Sequence, residues 1–259
     1  MTGRHTVTVP ILLYHSVNER PVAGQELYTV TPGTFGEHVR AIAESGRSAI
    51  TLGEYASVLR GERYLPARPV LVTFDDGFAD NRRAAERLLD AGLAASVFVT
   101  SGLIGRPGML TREDVRELAR LSERIEIGAH SVTHPHLDEL APEQAAQEIR
   151  GSRRALEEFA EISVESFAYP HGAYDRRVRG MVVEAGFTAC AAVKNALSHS
   201  CDDPFALARV TITARTRASH LEALFAGSGA RLAGPRERLR TRGYRAVRRM
   251  RRRTLERSA

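Results

Sequence analysis

Short apolar runs without charge recur along the chain, and each ends on a polar residue. Pro10-Ile-Leu-Leu-Tyr-His15 is the first, Val70-Leu-Val-Thr-Phe74 the second and Ala95-Ser-Val-Phe-Val-Thr100 the third. Runs of this length, rich in β-branched and aromatic residues, predict strands buried on both faces, as in a parallel sheet. Further strands are predicted at 125–129, 166–169, 187–193 and 207–212. Between them, apolar positions recur at helical spacing over 31–43, 51–59, 81–90, 111–121, 141–160, 175–185 and 217–226. Thr31 before Pro32 reads as an N-cap, Asp80 as the cap of the helix Asn81–Asp90, and Gly46 and Gly92 as helix stops. The βαβ unit spanning residues 70–100 predicts two parallel neighbouring strands. No internal repeat is visible. The alternation predicts an α/β fold, either a closed barrel or an open doubly wound sheet, and periodicity does not choose between them.

Composition narrows the class. With 259 residues, 43% of them hydrophobic, the chain can bury a core of its own. No run approaches the roughly 18 apolar residues of a membrane span, and the first ten residues lack the apolar stretch of a secretory signal, so a cytoplasmic protein is expected. Cys190 and Cys201 are too few for a disulfide framework. The charge is uneven. Residues 230–259 hold 12 Arg against Glu237 and Glu256, a net +10, which against +6 for the whole chain leaves residues 1–229 at −4. The expected organisation is therefore a body over 1–229 and an Arg-rich tail over 230–259.

Ligands and catalysis collect where parallel strands end, at their carboxyl edge. Four ends carry chemistry here: His15 after the first strand, Asp75-Asp76 after the second, His130 with His134 after the strand 125–129, and Pro170-His171-Gly172 after 166–169. His130-Ser-Val-Thr-His134 offers two imidazoles at i and i+4, read as neighbours on one helical turn. One carboxylate of the Asp75–Asp76 pair completes a His₂-carboxylate metal site, with zinc the default ion and cobalt, nickel or iron able to accept the same donors. The other carboxylate is then left as a base, because side chains alternate along a strand. The competing reading, that this pair caps the next helix, is weaker because Asp80 is better placed to cap.

Taken together, Thr73-Phe-Asp-Asp-Gly77, Gly128-Ala-His-Ser-Val-Thr-His134 and Phe167-Ala-Tyr-Pro-His-Gly172 resemble the first three motifs of the polysaccharide deacetylases, carbohydrate esterase family 4. The resemblance covers roughly residues 10–226. It implies a distorted (β/α)₇ barrel and metal-dependent hydrolysis of acetyl groups, usually from N-acetylglucosamine units. By position, Asp75 resembles the catalytic base, and Asp76, His130 and His134 the metal ligands. The backbone N–H of His171 matches the donor that steadies the oxyanion. Two departures stand out. Where the family's third motif carries Arg after its Phe and Tyr before its Gly, this chain has Ala168 and His171. Arg209 is a candidate for steadying Asp75 instead, with an anion-binding role or plain surface charge open beside it. The family's late Leu-x-His motif is also missing after residue 172, while Leu12-Leu-Tyr-His15 resembles it moved to the front. That resembles the circularly permuted branch that includes poly-N-acetylglucosamine deacetylases, and gives His15 the role of acid for the leaving amine.

Tyr14 and Tyr174 are expected either to line a sugar-binding groove or simply to pack, with Arg209 as a third substrate contact. His136 is read as a loop residue beside the site, His220 as facing outward, and His199 and Cys201 as no trusted site. The resulting expectation is an N-deacetylase of N-acetylglucosamine-containing sugars. Its rivals are an O-acetyl esterase and a sugar-binding barrel without turnover. Clustered Arg beside an apolar stripe makes the tail a candidate for docking on anionic membrane at the inner face, in preference to nucleic acid, with a solvated, inert tail open beside it.

Overall fold

A computed structural model describes residues 6–234. Seven parallel strands close into a barrel: β1 Ile11–Tyr14, β2 Pro69–Phe74, β3 Ala95–Val99, β4 Ile125–Ala129, β5 Ser166–Ala168, β6 Ala189–Val193 and β7 Leu207–Thr211. They neighbour in chain order, and β7 returns to β1 with Val210 opposite Leu12. The ring closes because β1 also pairs with β2, from Ile11 opposite Leu71 to Tyr14 opposite Phe74. The seam between β4 and β5 is thin, with the single register pair Ala129–Phe167, and there the barrel departs most from regularity.

The helices lie where the apolar periodicity places them: α1 Pro32–Glu44, α2 Leu52–Leu59, α3 Asn81–Asp90, α4 Arg112–Leu121, α5 Pro142–Ala160, α6 Arg176–Glu184 and α7 Ala218–Phe225. Thr31 caps α1 by accepting from the Thr34 N–H. Asp80 does not cap α3. Its carboxylate is drawn instead to the exit of β1, accepting from the Ser16 hydroxyl (2.8 Å) and the Val17 N–H (2.9 Å), two donors that a helix cap would leave unpaired. No helix separates β6 from β7. In that connection Ser198–His199 instead pairs antiparallel with Thr8–Val9.

Two cores follow from the two faces of each strand. Leu12, Tyr14, Val72, Phe74, Val97 and Ile127 face outward onto the helices. Ile11, Leu71, Phe98, Ala189, Ala191 and Leu207 form a smaller inner cluster with Leu52, Tyr55 and Ala56 of α2. α2 plugs the amino-terminal mouth. Its Leu52 N–H donates to the Ser96 hydroxyl (2.9 Å) and its Gly53 N–H to the Glu126 carboxylate (3.0 Å), both near the starts of their strands. With that end sealed, the opposite rim is the open one. The described chain continues through Gly234, with Leu197 and Ala233 hydrogen-bonding around a short bridge. The remainder of the Arg-rich segment, 235–259, lies outside the described residues. No helix among those described is long and apolar enough to cross a membrane.

Candidate active site

Four strands deliver the site to the open rim. Asp75 follows β2 directly, with its N–H donating to the Tyr14 carbonyl (2.9 Å), so it sits level with His15 after β1. The backbone then turns sharply: Asp76 and Gly77 have φ of 75° and 81°. A Cβ on Gly77 would lie 3.0 Å from Val99, so glycine answers both the turn and the close approach.

His130 follows β4, but the second imidazole is not brought to it by a helical turn. Residues 131–136 form a loop in which Ser131 and His134 take φ of 65° and 62°. Glu148 of α5 fixes this loop by accepting from the Val132 and Thr133 N–H groups, each at 2.8 Å, and from the Thr133 hydroxyl at 2.7 Å. The i, i+4 pair therefore converges through a clamped loop, a geometry helical spacing does not describe.

Asp76, His130 and His134 each offer one donor atom, all within 4.8 Å of one another. Asp76 Oδ1 lies 3.5 Å from His130 Nε2 and 3.2 Å from His134 Nε2. His130 Nδ1 lies 2.8 Å from the Ala168 carbonyl, which accepts only from an Nδ1–H tautomer and so frees Nε2 as a ligand atom. A carboxylate with two imidazoles suits zinc and its neighbours, and the set fits a divalent metal with positions left open. Burial alone would raise the Asp76 carboxyl, but the hydrogen bond and charge of His130, then His15 and His134, hold it well below the usual range. Burial and the neighbouring His130 lower His134 to about 4, so it stays a neutral donor at physiological pH. A second donor group, His136, Asp138 and Glu139, follows in the same loop.

Asp75 is buried behind this set, 3.8 Å from His130 Nε2. Arg209 grips it with both ends of its guanidinium, at 2.6 and 2.7 Å. Arg209 itself is fully buried inside the barrel; it also donates to the Thr73 hydroxyl (3.2 Å) and lies over the Phe98 ring. Burial pushes the Asp75 carboxyl up, but the Arg209 charge, His130, the Arg209 hydrogen bonds and His15 together hold it below its ordinary value. Asp75 is thus an ionised carboxylate kept from solvent. With no exposed surface, Arg209 cannot touch a sugar; the expectation of a substrate contact gives way to a partner for Asp75.

Tyr14 is corrected likewise. It points outward from the barrel, fully buried against Phe35 and Phe74, with its hydroxyl 3.1 Å from His38 Nδ1. Side-chain alternation decides this: its neighbour His15 takes the rim, so Tyr14 takes the helix layer. Tyr174 is half-buried and stacks on Tyr169 at 4.5 Å.

His15 is partly buried, and its Nδ1 makes no hydrogen bond among the described residues. Its carbonyl accepts from the Asn81 side chain at 2.6 Å, a contact with no signature in the sequence. Burial lowers the His15 ring's proton affinity, Asp75 and Asp76 raise it, and Arg209 and His130 lower it again. The Tyr28 ring, which no motif marks, packs against it. His171 is exposed, in the left-handed region at φ 57°, with its ring 4.3 Å from His134 and stacked at 4.0 Å on His136. The neighbouring Gly172, also at positive φ, is required by Val193, which a Cβ would meet at 2.8 Å. His220 is exposed, as its position on α7 implied.

The family model described as polysaccharide deacetylase matches residues 62–190, spanning β2 to β6 with Asp75, Asp76, His130, His134 and His171. The Bacillus subtilis (strain 168) protein YxkH, named among polysaccharide deacetylases, is 27% identical over 206 residues, 79% of this chain and 71% of its own. The Streptococcus pyogenes deacetylase PplD, solved with acetate, superposes with a TM-score of 0.76 at 21% identity, covering 84% of this chain and 98% of that one. IcaB from Ammonifex degensii gives 0.71 at 22%, covering 86% and 97%. At these identities the two structures speak to the fold, and the fold is the same barrel. The motif-bearing strands, the closed seven-stranded ring and the matching family model agree: the chain belongs to the polysaccharide deacetylase family, hydrolases acting on acetylated carbohydrate.

Proposed function

We propose that this protein is a metal-dependent N-deacetylase of sugars containing N-acetylglucosamine. One observation carries the reading: a buried carboxylate, Asp75, held ionised by Arg209 beside the three converging donors of Asp76, His130 and His134. Asp76, His130 and His134 would hold a divalent ion, which would supply Lewis-acid polarisation of the acetyl carbonyl. Asp75 accepts the proton of the attacking water; its fixed position and low proton affinity keep it ionised until that step. Arg209 orients the carboxylate by donating to both of its oxygens. The N–H of His171, in a turn where His171 and Gly172 both take positive φ, is the donor for the developing oxyanion. His15 is the acid that hands a proton to the departing nitrogen, and a nitrogen leaving group needs such an acid more than an alkoxide does.

The description of the matching family model, polysaccharide deacetylase, supports a poly- or oligosaccharide substrate. A barrel that only binds sugar has no use for a charged base locked against a metal-type donor set. Acetate release from N-acetylglucosamine oligosaccharides, measured with zinc-loaded and chelator-treated protein, tests this directly. Metal-dependent release from the amide is the predicted outcome. Release from O-acetylated sugar alone would replace the reading with an esterase, and release unaffected by chelator would remove the metal from it.

A further inference from the structure

The groups placed at the reaction centre, Asp75, Asp76, His15, His130, His134 and His171, are carboxylates and imidazoles, and none of them offers a sugar an apolar face. Pyranose rings present axial C–H groups, and proteins hold them against aromatic faces that are apolar in body and wet at one edge. The chain has no tryptophan. Among the described residues, the exposed large aromatic side chains are Tyr28, 38% exposed, and Tyr64, fully exposed. Tyr64 lies in the loop between α2 and β2, at the plugged amino-terminal end of the barrel. Tyr28 lies at the catalytic rim, its ring centroid 5.1 Å from that of His15 and tilted by 44°.

We propose that Tyr28 is a substrate-contacting residue whose free face stacks on the pyranose ring bearing the acetamido group. The proposal rests on the N-deacetylase reading above. In such a sugar the leaving nitrogen is one bond from the ring, so a nitrogen set against His15 places the ring beside His15, where Tyr28 already stands. The backbone around Tyr28 is fixed in advance. Its N–H donates to the Gln25 carbonyl (3.0 Å), and the Thr29 hydroxyl bonds the same oxygen (2.9 Å). The Leu27 carbonyl accepts from Ala214 N–H (2.8 Å), and Thr29–Val30 pairs with Ser16–Val17 directly after His15. One short ladder thus carries both the acid and the aromatic, and their spacing survives without substrate.

The test uses the metal-loaded full chain and the trisaccharide of N-acetylglucosamine. Tyr28→Ala raises KM about five- to tenfold with a smaller change in kcat, and Tyr28→Phe stays within about twofold of the parent. Tyr28→Trp places a single tryptophan at the site, and its emission shifts on titration with the trisaccharide even in metal-free protein. An unchanged KM in Tyr28→Ala, an equal loss in Tyr28→Phe (which would move the role to the hydroxyl), or indifferent tryptophan emission each overturns the proposal. If the parent releases no acetate, the N-deacetylase reading fails by itself, and the fluorescence titration still decides for or against Tyr28.

Discussion

Replacing Arg209 by methionine strips a buried carboxylate of its counter-ion without changing the volume of the site greatly. Both groups are out of water, with 0% and 3% of their side chains exposed, and they share two charge-assisted hydrogen bonds at 2.6 and 2.7 Å. Breaking such a pair from one side costs about 3–5 kcal/mol, because the remaining charge stays buried. Against a typical domain stability of about 5–15 kcal/mol, the variant still folds at room temperature but unfolds at much lower urea. The cost must also depend on pH. In the parent, Asp75 is depressed, so its contribution is complete above the unfolded value of about 3.9 and is lost as pH falls through the folded value. In Arg209→Met, burial dominates and raises Asp75, so the sign reverses: acid now relieves the strain. The gap between parent and variant is therefore widest near neutrality and closes as the pH is lowered. Urea unfolding of chelator-treated Arg209→Met, Asp75→Asn and the double variant, at several pH values, reads this as a double-mutant cycle. A double variant more stable than the two single losses summed confirms the pair. Additive losses, or an Arg209→Met cost below about 1 kcal/mol, would refute the account of how Asp75 is held.

Other consequences are independent of that pair. His15→Ala lowers acetate release by about 10²- to 10⁴-fold while the metal content, read by elemental analysis, stays at the parent level; lost metal would assign His15 another role. His38 is fully buried between the Tyr14 hydroxyl and the Thr216 carbonyl, and burial lowers its proton affinity. Its neutral form is therefore favoured by folding, so stability is complete above about pH 6.5 and falls as pH drops below it. Thermal melts of His38→Gln lose that part of the acid sensitivity, and an unchanged pH slope would contradict it. The net +10 of residues 230–259 predicts sedimentation with anionic vesicles that salt weakens and truncation abolishes; equal sedimentation of the truncated chain would remove the membrane-docking role.

Much of this was legible in the chain because it lies in local pattern. Strand ends and helix caps such as Thr31 are written in neighbouring residues, so the seven strands, the seven helices and the rim positions of His15, Asp75, His130 and His171 follow from periodicity. Closure of the ring did not, because the β1–β2 and β7–β1 pairings join segments about 60 and 200 residues apart. The same limit hides long-range side-chain partners. Arg209 meets Asp75 across 134 positions, Asn81 meets His15 across 66, and Asp80 leaves its helix for Ser16. The motif leaves Tyr14 open between groove and packing, β-alternation turns it into the helix layer, and Tyr28, in no motif, takes the exposed place beside His15. The loop route from His130 to His134 escaped for a different reason: four-residue spacing is the same number on a helix and in a clamped loop.

Holding the metal and doing the chemistry fall to different residues, and Asp75→Asn isolates the two. Zinc stoichiometry by elemental analysis, taken with acetate release from N-acetylglucosamine oligosaccharides on the same samples, reads both. One zinc per chain is expected in the parent and in Asp75→Asn, with release in the variant lower by at least about 10²-fold, and no stable zinc in His134→Ala. A parent that binds no zinc, or an Asp75→Asn variant that releases acetate at the parent rate, would contradict it.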